Sequence, residues 1–384
     1  ISHEPKAGSI IKTTTDKKFG TTIWTLSNGA KVVIKPTTFK DDEILMTGIS
    51  KGGNLLYEDK DIPNLKIFNN IIDLGGLGNF NNIDLKKVLA GKNVSLSIGL
   101  DDRSEIVNGS STPKDLVTLM QLLYLSFTDQ HKDPEAVEAW KSKIKDMLKN
   151  ASANPRAAFK DSLNVALYKE NPRKMSLKPE EIDQTDYDRI LQIWKERFGD
   201  ASDFTFTFVG NIDEKELKPL VEKYIASLPS TYSKEKPGTD KVGIRMENYT
   251  NHFEKPMQTL TSTVYAAYVG KCKYSLENNI KLNMFDQIMD IVYTATIREE
   301  EGGTYGVGTQ SVLSKETDTW MFLFGFDTNP EMQKKLQKRA ISELEKTINE
   351  GPSEKDFNKV KEYMLKSHTE NLHENKYWLG VINT

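Results

Sequence analysis

The sequence predicts an α+β fold of two related domains, each an antiparallel or mixed sheet with helices packed on one face. Strand-like and helix-like segments follow one another in the same order in both halves of the chain. Several landmarks recur at one offset of 217 positions: Pro113 and Pro330, Trp140 and Phe357, and Met147-Leu148 and Met364-Leu365. This pattern indicates the duplication of a unit of about 210 residues.

The strands of the first unit are predicted from alternation and turn residues. The segment "TTIWTLSNGAKVVIK" consists of two β-rich runs around Asn28-Gly29, which predicts a hairpin with a type I′ turn. "EILMTGIS" predicts a third strand, and "VSLSIGLDDRSEIVNGSS" alternates as a pair of strands does. "DFTFTFVGN" predicts the last strand of the unit.

Helical periodicity appears between these strands. In the predicted helix Asn64–Asp73, apolar residues share one face, and Gly75-Gly76 end it. Pro113 follows a Ser/Thr cap and predicts the start of a second helix, and "DPEAVEAWKSKIKDMLKN" opens a third helix in the same way. "DEKELKPLVEKYIASLP" predicts the helix that closes the unit.

The second half of the chain repeats this order. "PMQTLTSTVYAAYVG", "TYGVGTQSVLS" and "DTWMFLFGFD" predict strands, and a long apolar helix precedes the second of them. Two further helices follow. Because Thr384 corresponds to position 167 of the first copy, we expect the second domain to be C-terminally incomplete.

The repeat and the composition of the connecting segments predict four regions. We expect a hinge or linker over 1–20, a first domain over 21–230, a Pro/Ser/Lys-rich linker over 231–244 and a second domain over 245–384. The chain begins with isoleucine rather than methionine, and "ISHEPKAGS" is not a signal peptide. We therefore expect it to be a piece of a longer protein, either cut from it or processed out of it.

The composition excludes several classes of function. The 52 basic and 55 acidic residues give a net charge of -3, which is too balanced to indicate binding to nucleic acid or an anionic membrane. The single cysteine, Cys272, excludes an internal disulfide and a cysteine-based zinc cluster. No apolar run approaches the roughly 20 residues that a membrane-spanning helix needs.

The segment "REEEGGTYGVG", from Arg298 to Gly308, has three competing interpretations: a phosphate-binding loop, an ordinary helix C-terminus and part of an active site. It lacks the Lys-Ser/Thr of a P-loop. The glycines that begin at Gly306 form a broken dinucleotide fingerprint, and they follow a helix rather than a strand. The phosphate interpretation is therefore disfavoured.

Histidine spacing argues against a metal site in this chain. A zinc-binding pair on a helix needs imidazoles at positions i and i+4, about 40° apart around the axis. His368 and His373 are five positions apart, about 140° apart on a helix, so their rings diverge. The acidic pair Asp101-Asp102 and the run Glu299–Glu301 are candidates for acid–base chemistry, but neighbouring carboxylates are usually solvated.

Arg298 and Tyr305 are the remaining candidates. The simplest interpretation is that Arg298 stabilises the C-terminus of a helix, Gly302-Gly303 end it, and Tyr305 begins a strand. Both side chains would then flank one loop. A guanidinium and a phenol are both hydrogen-bond donors, which suits them to a peptide carbonyl.

The arginine, the glycine pair and the tyrosine, with six residues between Arg298 and Tyr305, resemble the C-terminal half of pitrilysin/insulinase-type (M16) zinc peptidases. The resemblance extends to the duplicated unit, the "FTFTFVGNIDEKELKPLVEKYIASLP" stretch and the linker between the repeats, and is nearest to bacterial members in which two halves are fused. It implies four related α+β domains in two halves that close around a peptide, with zinc bound by a His-x-x-Glu-His motif in the N-terminal half.

Only two residues match the roles that the resemblance implies for this half. Arg298 would bind the substrate backbone, and Tyr305 would stabilise the oxyanion. The predicted helix Asn64–Asp73 contains neither histidine nor glutamate, so no metal ligand transfers to it. Zinc would belong to the parent enzyme, bound by a half that lies upstream of Ile1, and this chain alone would be inactive.

The leading hypothesis is the C-terminal half of a zinc endopeptidase that hydrolyses peptides. Its partners would be the N-terminal catalytic half, or a catalytic subunit, and the peptide substrate. The alternative is a non-catalytic subunit or scaffold that binds peptides or pairs with a separate catalytic chain. A periplasmic or cell-envelope location follows from the resemblance alone.

Overall fold

The computed structural model describes residues 1–384 and divides them into two compact units. The first consists of Ile1–Gly243 together with Leu372–Thr384, and the second consists of Ile244–Asn371. None of the helices has the length and apolar character needed to cross a lipid bilayer.

Ten strands form two sheets. Seven belong to the first unit: β1 (Ile10–Asp16), β2 (Thr21–Leu26), β3 (Lys31–Pro36), β4 (Ile44–Lys51), β5 (Val94–Leu100), β6 (Ser104–Ser111) and β7 (Thr205–Gly210). Three belong to the second unit: β8 (Ser262–Lys271), β9 (Gly308–Leu313) and β10 (Thr319–Thr328).

Twelve α-helices accompany the sheets. The first unit contains α1 (Ile62–Ile71), α2 (Asn82–Val88), α3 (Leu116–Thr128), α4 (Pro134–Ala151), α5 (Pro155–Tyr168), α6 (Pro179–Asp183), α7 (Tyr187–Phe198), α8 (Glu214–Tyr224) and α12 (Asn375–Asn383). The second unit contains α9 (Leu276–Tyr293), α10 (Gln333–Glu350) and α11 (Glu354–Asn371).

The sheet of the first unit has the strand order β1-β2-β3-β7-β4-β6-β5, with β3 and β7 parallel and the other neighbours antiparallel. Helices pack over one of its faces, where Phe206 and Phe208 of the central strand β7 are fully buried. The ring of Phe127 on α3 lies 5.9 Å from that of Phe206. This arrangement confirms the predicted α+β fold with a mixed sheet.

One helix lies on the other face of this sheet. Asn383 of α12 donates to Thr47 Oγ1 at 2.8 Å and accepts from Thr207 at 3.2 Å. Thr47 and Thr207 face each other on β4 and β7 and alternate with core-facing Met46 and Phe206. Successive side chains of a strand point to opposite faces of the sheet. α12 therefore packs against β4 and β7 on the face opposite the main layer of helices.

The predicted hairpin between β2 and β3 is confirmed, but its predicted type I′ turn is wrong. Gly29 has a positive φ of 91°, whereas Asn28 does not, and a type I′ turn requires both. Asn28 is instead buried, and its amide donates to the carbonyl oxygens of Ile225 and Leu228 at 2.8 and 3.2 Å. These contacts after α8 determine its conformation.

Two connecting segments are ordered by their contacts. The expected hinge over 1–20 contains β1, which pairs with β2 along the edge of the sheet. In the expected linker over 231–244, Thr231 and Ser233 hydroxyls donate to Asp200 at 2.8 and 2.9 Å, and Arg197 forms an ion pair with Glu235. The Pro/Ser/Lys-rich composition of the linker did not predict these contacts.

The second unit repeats part of the first. Its strand order β8-β10-β9 reproduces the order β4-β6-β5, and each strand lies near its counterpart shifted by the predicted offset. A core centred on Tyr293, Phe322, Phe324 and Leu336 joins α9 and α10 to the sheet. The repeat inferred from the sequence therefore agrees with the order of elements in both units.

Candidate functional site

The candidate site lies where α9 passes into the edge strand β9. The helix continues beyond Tyr293 as a π-helical segment, Thr294–Glu300, which includes Arg298. Such segments are rare and frequently occur at functional sites. Gly302, with a positive φ of 67°, then ends the helix, as the sequence predicted.

Close packing fixes the start of the loop. The carbonyl oxygen of Gly303 accepts a hydrogen bond from Thr328 Oγ1 at 2.6 Å. A Cβ atom at this glycine would lie 2.6 Å from Met332 Cε and 2.9 Å from a methyl carbon of Leu336. A larger residue at position 303 would therefore displace the ends of the Met332 and Leu336 side chains, which lie directly against the loop.

Arg298 and Tyr305 are both exposed and lie at the two ends of the segment 298–305. Tyr305 has a relative exposure of 102%, and Arg298 is also exposed. Neither side chain forms a hydrogen bond or an ion pair, either with the other or with a third residue. Two unpaired donor side chains in one exposed segment are available for an acceptor outside this chain.

Two of the three acidic residues between them, Glu300 and Glu301, form ion pairs with α10. Glu301 pairs with Lys335 at 2.7 Å and with Arg339 at 3.2 Å, and Glu300 pairs with Arg339 at 2.7 Å. The hydrogen bond from Lys335 is the main cause of a lowered pKa at Glu301. These carboxylates are therefore engaged with α10 rather than with Arg298.

Tyr305 precedes the strand that it was predicted to begin. β9 starts at Gly308, so Tyr305 lies in the loop before it, and the predicted strand boundary is wrong. In the sequence, Tyr305 is flanked by Gly302, Gly303, Gly306 and Gly308, which give the backbone more freedom than a strand allows. β9 is the last strand of its sheet, so Tyr305 stands at the entrance to an open edge.

The structure assigns the other sequence candidates to structural roles. Asp101 accepts hydrogen bonds from the backbone of Arg103 and Ser104 at 2.8 and 2.6 Å in the β5–β6 turn. Asp102 pairs with Lys174 at 2.7 Å. Neither is placed as an acid–base group.

The side chains do not form a metal centre. No three His, Cys, Asp or Glu residues are grouped so that they could hold a metal ion. His368 lies near the end of α11, and His373 contacts the edge of the Phe39 ring at 5.9 Å. The residues present therefore do not fit zinc.

The sequence patterns did not indicate Asp73 as a candidate. Asp73 lies just after α1 in a cleft beside β5, and desolvation there raises its pKa to about 6. The signal that could have found it is a single acidic residue at the C-terminus of the apolar helix α1, where the helix dipole disfavours negative charge.

Comparison with known proteins agrees with this description. Residues 185–364 match the model of the peptidase M16 inactive domain. The chain is 24% identical over 403 aligned positions to a zinc protease PQQL-like protein of Arabidopsis thaliana, covering 100% of this chain and 39% of that protein. It is 20% identical to the probable zinc protease PqqL of Escherichia coli, covering 89% of this chain and 37% of the relative.

A solved structure supports the same fold. The periplasmic protease PqqL from Escherichia coli superposes with a TM-score of 0.86 at 19% identity, covering 99% of this chain and 42% of that one. The chain thus spans about two fifths of the length of these relatives. The family match over residues 185–364, the relatives and the two-unit fold together support a C-terminal M16 domain of the inactive type in this chain.

Proposed function

We propose that this chain is the non-zinc-binding half of an M16 metalloendopeptidase and that Arg298 and Tyr305 bind the peptide being cleaved. The observation that supports this proposal is that both side chains are exposed and unpaired in one segment, while Glu300 and Glu301 are engaged by Arg339 and Lys335.

The open edge of β9 suits an extended peptide. A peptide added there would form main-chain hydrogen bonds with the strand, which give affinity with little dependence on sequence. Tyr305, three positions before β9, would donate its hydroxyl to the carbonyl oxygen of the scissile bond. Arg298 would donate to a neighbouring carbonyl of the same peptide.

The phenol acts when charge develops on the carbonyl oxygen. Addition of water to the carbonyl carbon gives a tetrahedral oxyanion, and its collapse breaks the C–N bond as the amine leaves with a proton. A hydrogen bond from Tyr305 is strengthened by that charge and lowers the barrier. The water-activating chemistry and zinc belong to the N-terminal half, which is also the proposed partner, and a periplasmic location is proposed by analogy with PqqL.

The test is steady-state hydrolysis of a quenched peptide by the protein that contains both halves. We expect Tyr305→Phe to lower kcat roughly 10–1000-fold, as does the loss of one oxyanion donor. Arg298→Ala should act mainly by raising KM. Tyr363→Phe is the matched control because Tyr363 is also exposed, at 61%, but lies on α11. A kcat within twofold of the parent for Tyr305→Phe would refute the oxyanion role.

A further inference from the structure

A second open edge lies in the first unit, and a cleft runs beside it. The cleft has a volume of about 420 Å³ and lies between α2 and β5. Its apolar walls include Ile72, Leu77, Leu85, Leu89, Leu96 and Leu122. The volume falls in the range of small-ligand sites, and polar atoms contribute more of the exposed lining than apolar atoms do.

The strand that borders the cleft has unpaired backbone groups. β5 is the last strand in the order of its sheet and pairs only with β6. Its other side therefore presents alternate N–H and C=O groups, except at Leu100, whose N–H and C=O are bonded to the Asn69 side chain. Residues Val94, Ser95, Leu96 and Ile98 of this strand line the cleft. An extended peptide satisfies such groups by adding as a further strand.

A single carboxylate is available to select a side chain of that peptide. Asp73 lines the cleft, is exposed at its surface and forms no hydrogen bond or ion pair. Although Asp73 is exposed, the surrounding cleft removes part of the water around its carboxyl group and so raises its pKa. A cation close to this carboxylate would compensate that loss.

Lys86 is the other charged residue that lines the cleft. It lies on α2 and is exposed, so its long side chain can keep its ammonium group in water. Asp73 has a shorter side chain, so its carboxylate stays beside the cleft walls. The cleft therefore favours a basic group over an acidic one.

The internal repeat relates this cleft to the Arg298–Tyr305 segment. With the offset of 217 positions, residues 81–88 correspond to residues 298–305. α2 thus stands where the second unit has its donor loop, and the edge strand β5 stands where the second unit has the edge strand β9. In the second unit, the connection between a helix and the edge strand contains the exposed donors Arg298 and Tyr305. In the first unit, the equivalent connection contains α2, which borders the cleft.

We infer that the α2–β5 cleft is a peptide-anchoring site that pairs an extended segment with β5 and binds its arginine or lysine side chain at Asp73. This inference deepens the proposed function and rests on it for the role of the bound peptide as substrate. It adds a preference for basic residues, located on a different unit from Arg298 and Tyr305.

The test uses this chain and a labelled, acetylated and amidated heptapeptide of alternating threonine and valine with one central arginine. A second peptide replaces arginine with citrulline, which keeps the shape and removes the charge. Fluorescence anisotropy should show that citrulline weakens binding about 10-fold or more, as expected for a charge-assisted hydrogen bond.

Asp73→Asn completes a double-mutant cycle. It should lower the affinity for the arginine peptide to that for the citrulline peptide and leave the latter unchanged. Asp42→Asn is the matched control, since Asp42 is exposed and does not line the cleft. N-methylation of alternate amides should abolish binding in one of its two patterns only, because one edge of the peptide faces β5.

Equal affinity for both peptides, or an equal effect of Asp73→Asn on both, would overturn the inference, as would no binding. A tolerance of both N-methylation patterns would exclude pairing with β5. The outcome is separable from that for Tyr305. If Tyr305→Phe leaves kcat unchanged while the arginine preference persists, the proposed catalytic role fails and the cleft stands as a peptide-binding site.

Discussion

Arg339 on α10 donates to Glu301 in the loop that follows the π-helical segment, with 3.2 Å between Nη1 and the carboxylate oxygen. Lys335 takes the other oxygen of Glu301 at 2.7 Å. Both oxygens of this carboxylate are therefore occupied from α10. Glu301 and Glu300, which Arg339 also binds, are therefore not paired with Arg298.

Removing the ion pairs that Arg339 forms with Glu300 and Glu301 should weaken the binding of a peptide by Arg298. In Arg339→Met, the Glu300 carboxylate loses its partner, and Glu301 keeps only Lys335. We expect a several-fold increase in KM of the two-half protein, because an unpaired glutamate competes with the peptide for Arg298. Arg339→Lys, which keeps a positive charge, is the control. An unchanged KM in Arg339→Met would contradict this role of the ion pairs.

The position of the segment also depends on a buried hydrogen bond. Tyr293, at the end of α9, is fully buried, and its hydroxyl donates to the backbone oxygen of Ala340 on α10 at 3.0 Å. Tyr293→Phe should lower the free energy of unfolding by about 1 kcal/mol, the net value of a typical hydrogen bond. Urea unfolding measures it, with Tyr363→Phe as the exposed control. A loss no larger than that of the control would show that the bond is unimportant.

Glu105 makes the stability of the first unit depend on pH. Its carboxyl group is 1% exposed, and burial raises its pKa despite hydrogen bonding from Gly53 and the nearby Arg197. The folded state then binds the proton more tightly than the unfolded state does, whose glutamate pKa is about 4.3. The resulting stability is present below about pH 4.3 and is lost as pH rises through the higher pKa of the folded protein.

Glu105→Gln should remove this dependence. The difference in free energy of unfolding between variant and parent should move in favour of the variant as pH rises from about 4 to about 7. Urea titrations at several pH values provide the measurement, with Glu58→Gln as an exposed control. A difference that does not vary with pH would rule out Glu105 as the source.

The absence of a suitable donor set leads to a prediction about metal content. Because no three candidate ligands are grouped, the purified chain should contain much less than one equivalent of zinc. Elemental analysis after dialysis against zinc provides the measurement, with the two-half protein as the positive control. One tightly bound equivalent in this chain would overturn the assignment of zinc to the other half.

Much of the fold could be predicted from the sequence because local patterns are strong in this chain. The alternation in "TFTFVG" and the glycines after Arg298 each gave the correct local structure. The hairpin at Asn28-Gly29 was predicted, but its turn was not, because Asn28 is held by carbonyl groups about 200 positions away. Such contacts are not encoded in a short window.

The candidate site shows the same division. Sequence alone selected Arg298 and Tyr305, from their donor groups and their place between a helix and a strand. It did not predict the π-helical turn, or that β9 begins three positions after Tyr305. It also did not predict the ion pairs of Glu300 and Glu301 with α10. Each of these depends on packing between segments distant in the sequence.

The sequence by itself determined the duplication, the α+β class and the chemistry of the two donors, since periodicity, spacing and residue type are local properties. Only the tertiary structure decided which charged side chains form ion pairs and which do not. Ion pairs join residues such as Glu301 and Arg339, 38 positions apart, so the availability of Arg298 emerges only when α10 packs beside its loop. The cleft at Asp73 likewise exists only because α2 lies alongside the edge strand β5.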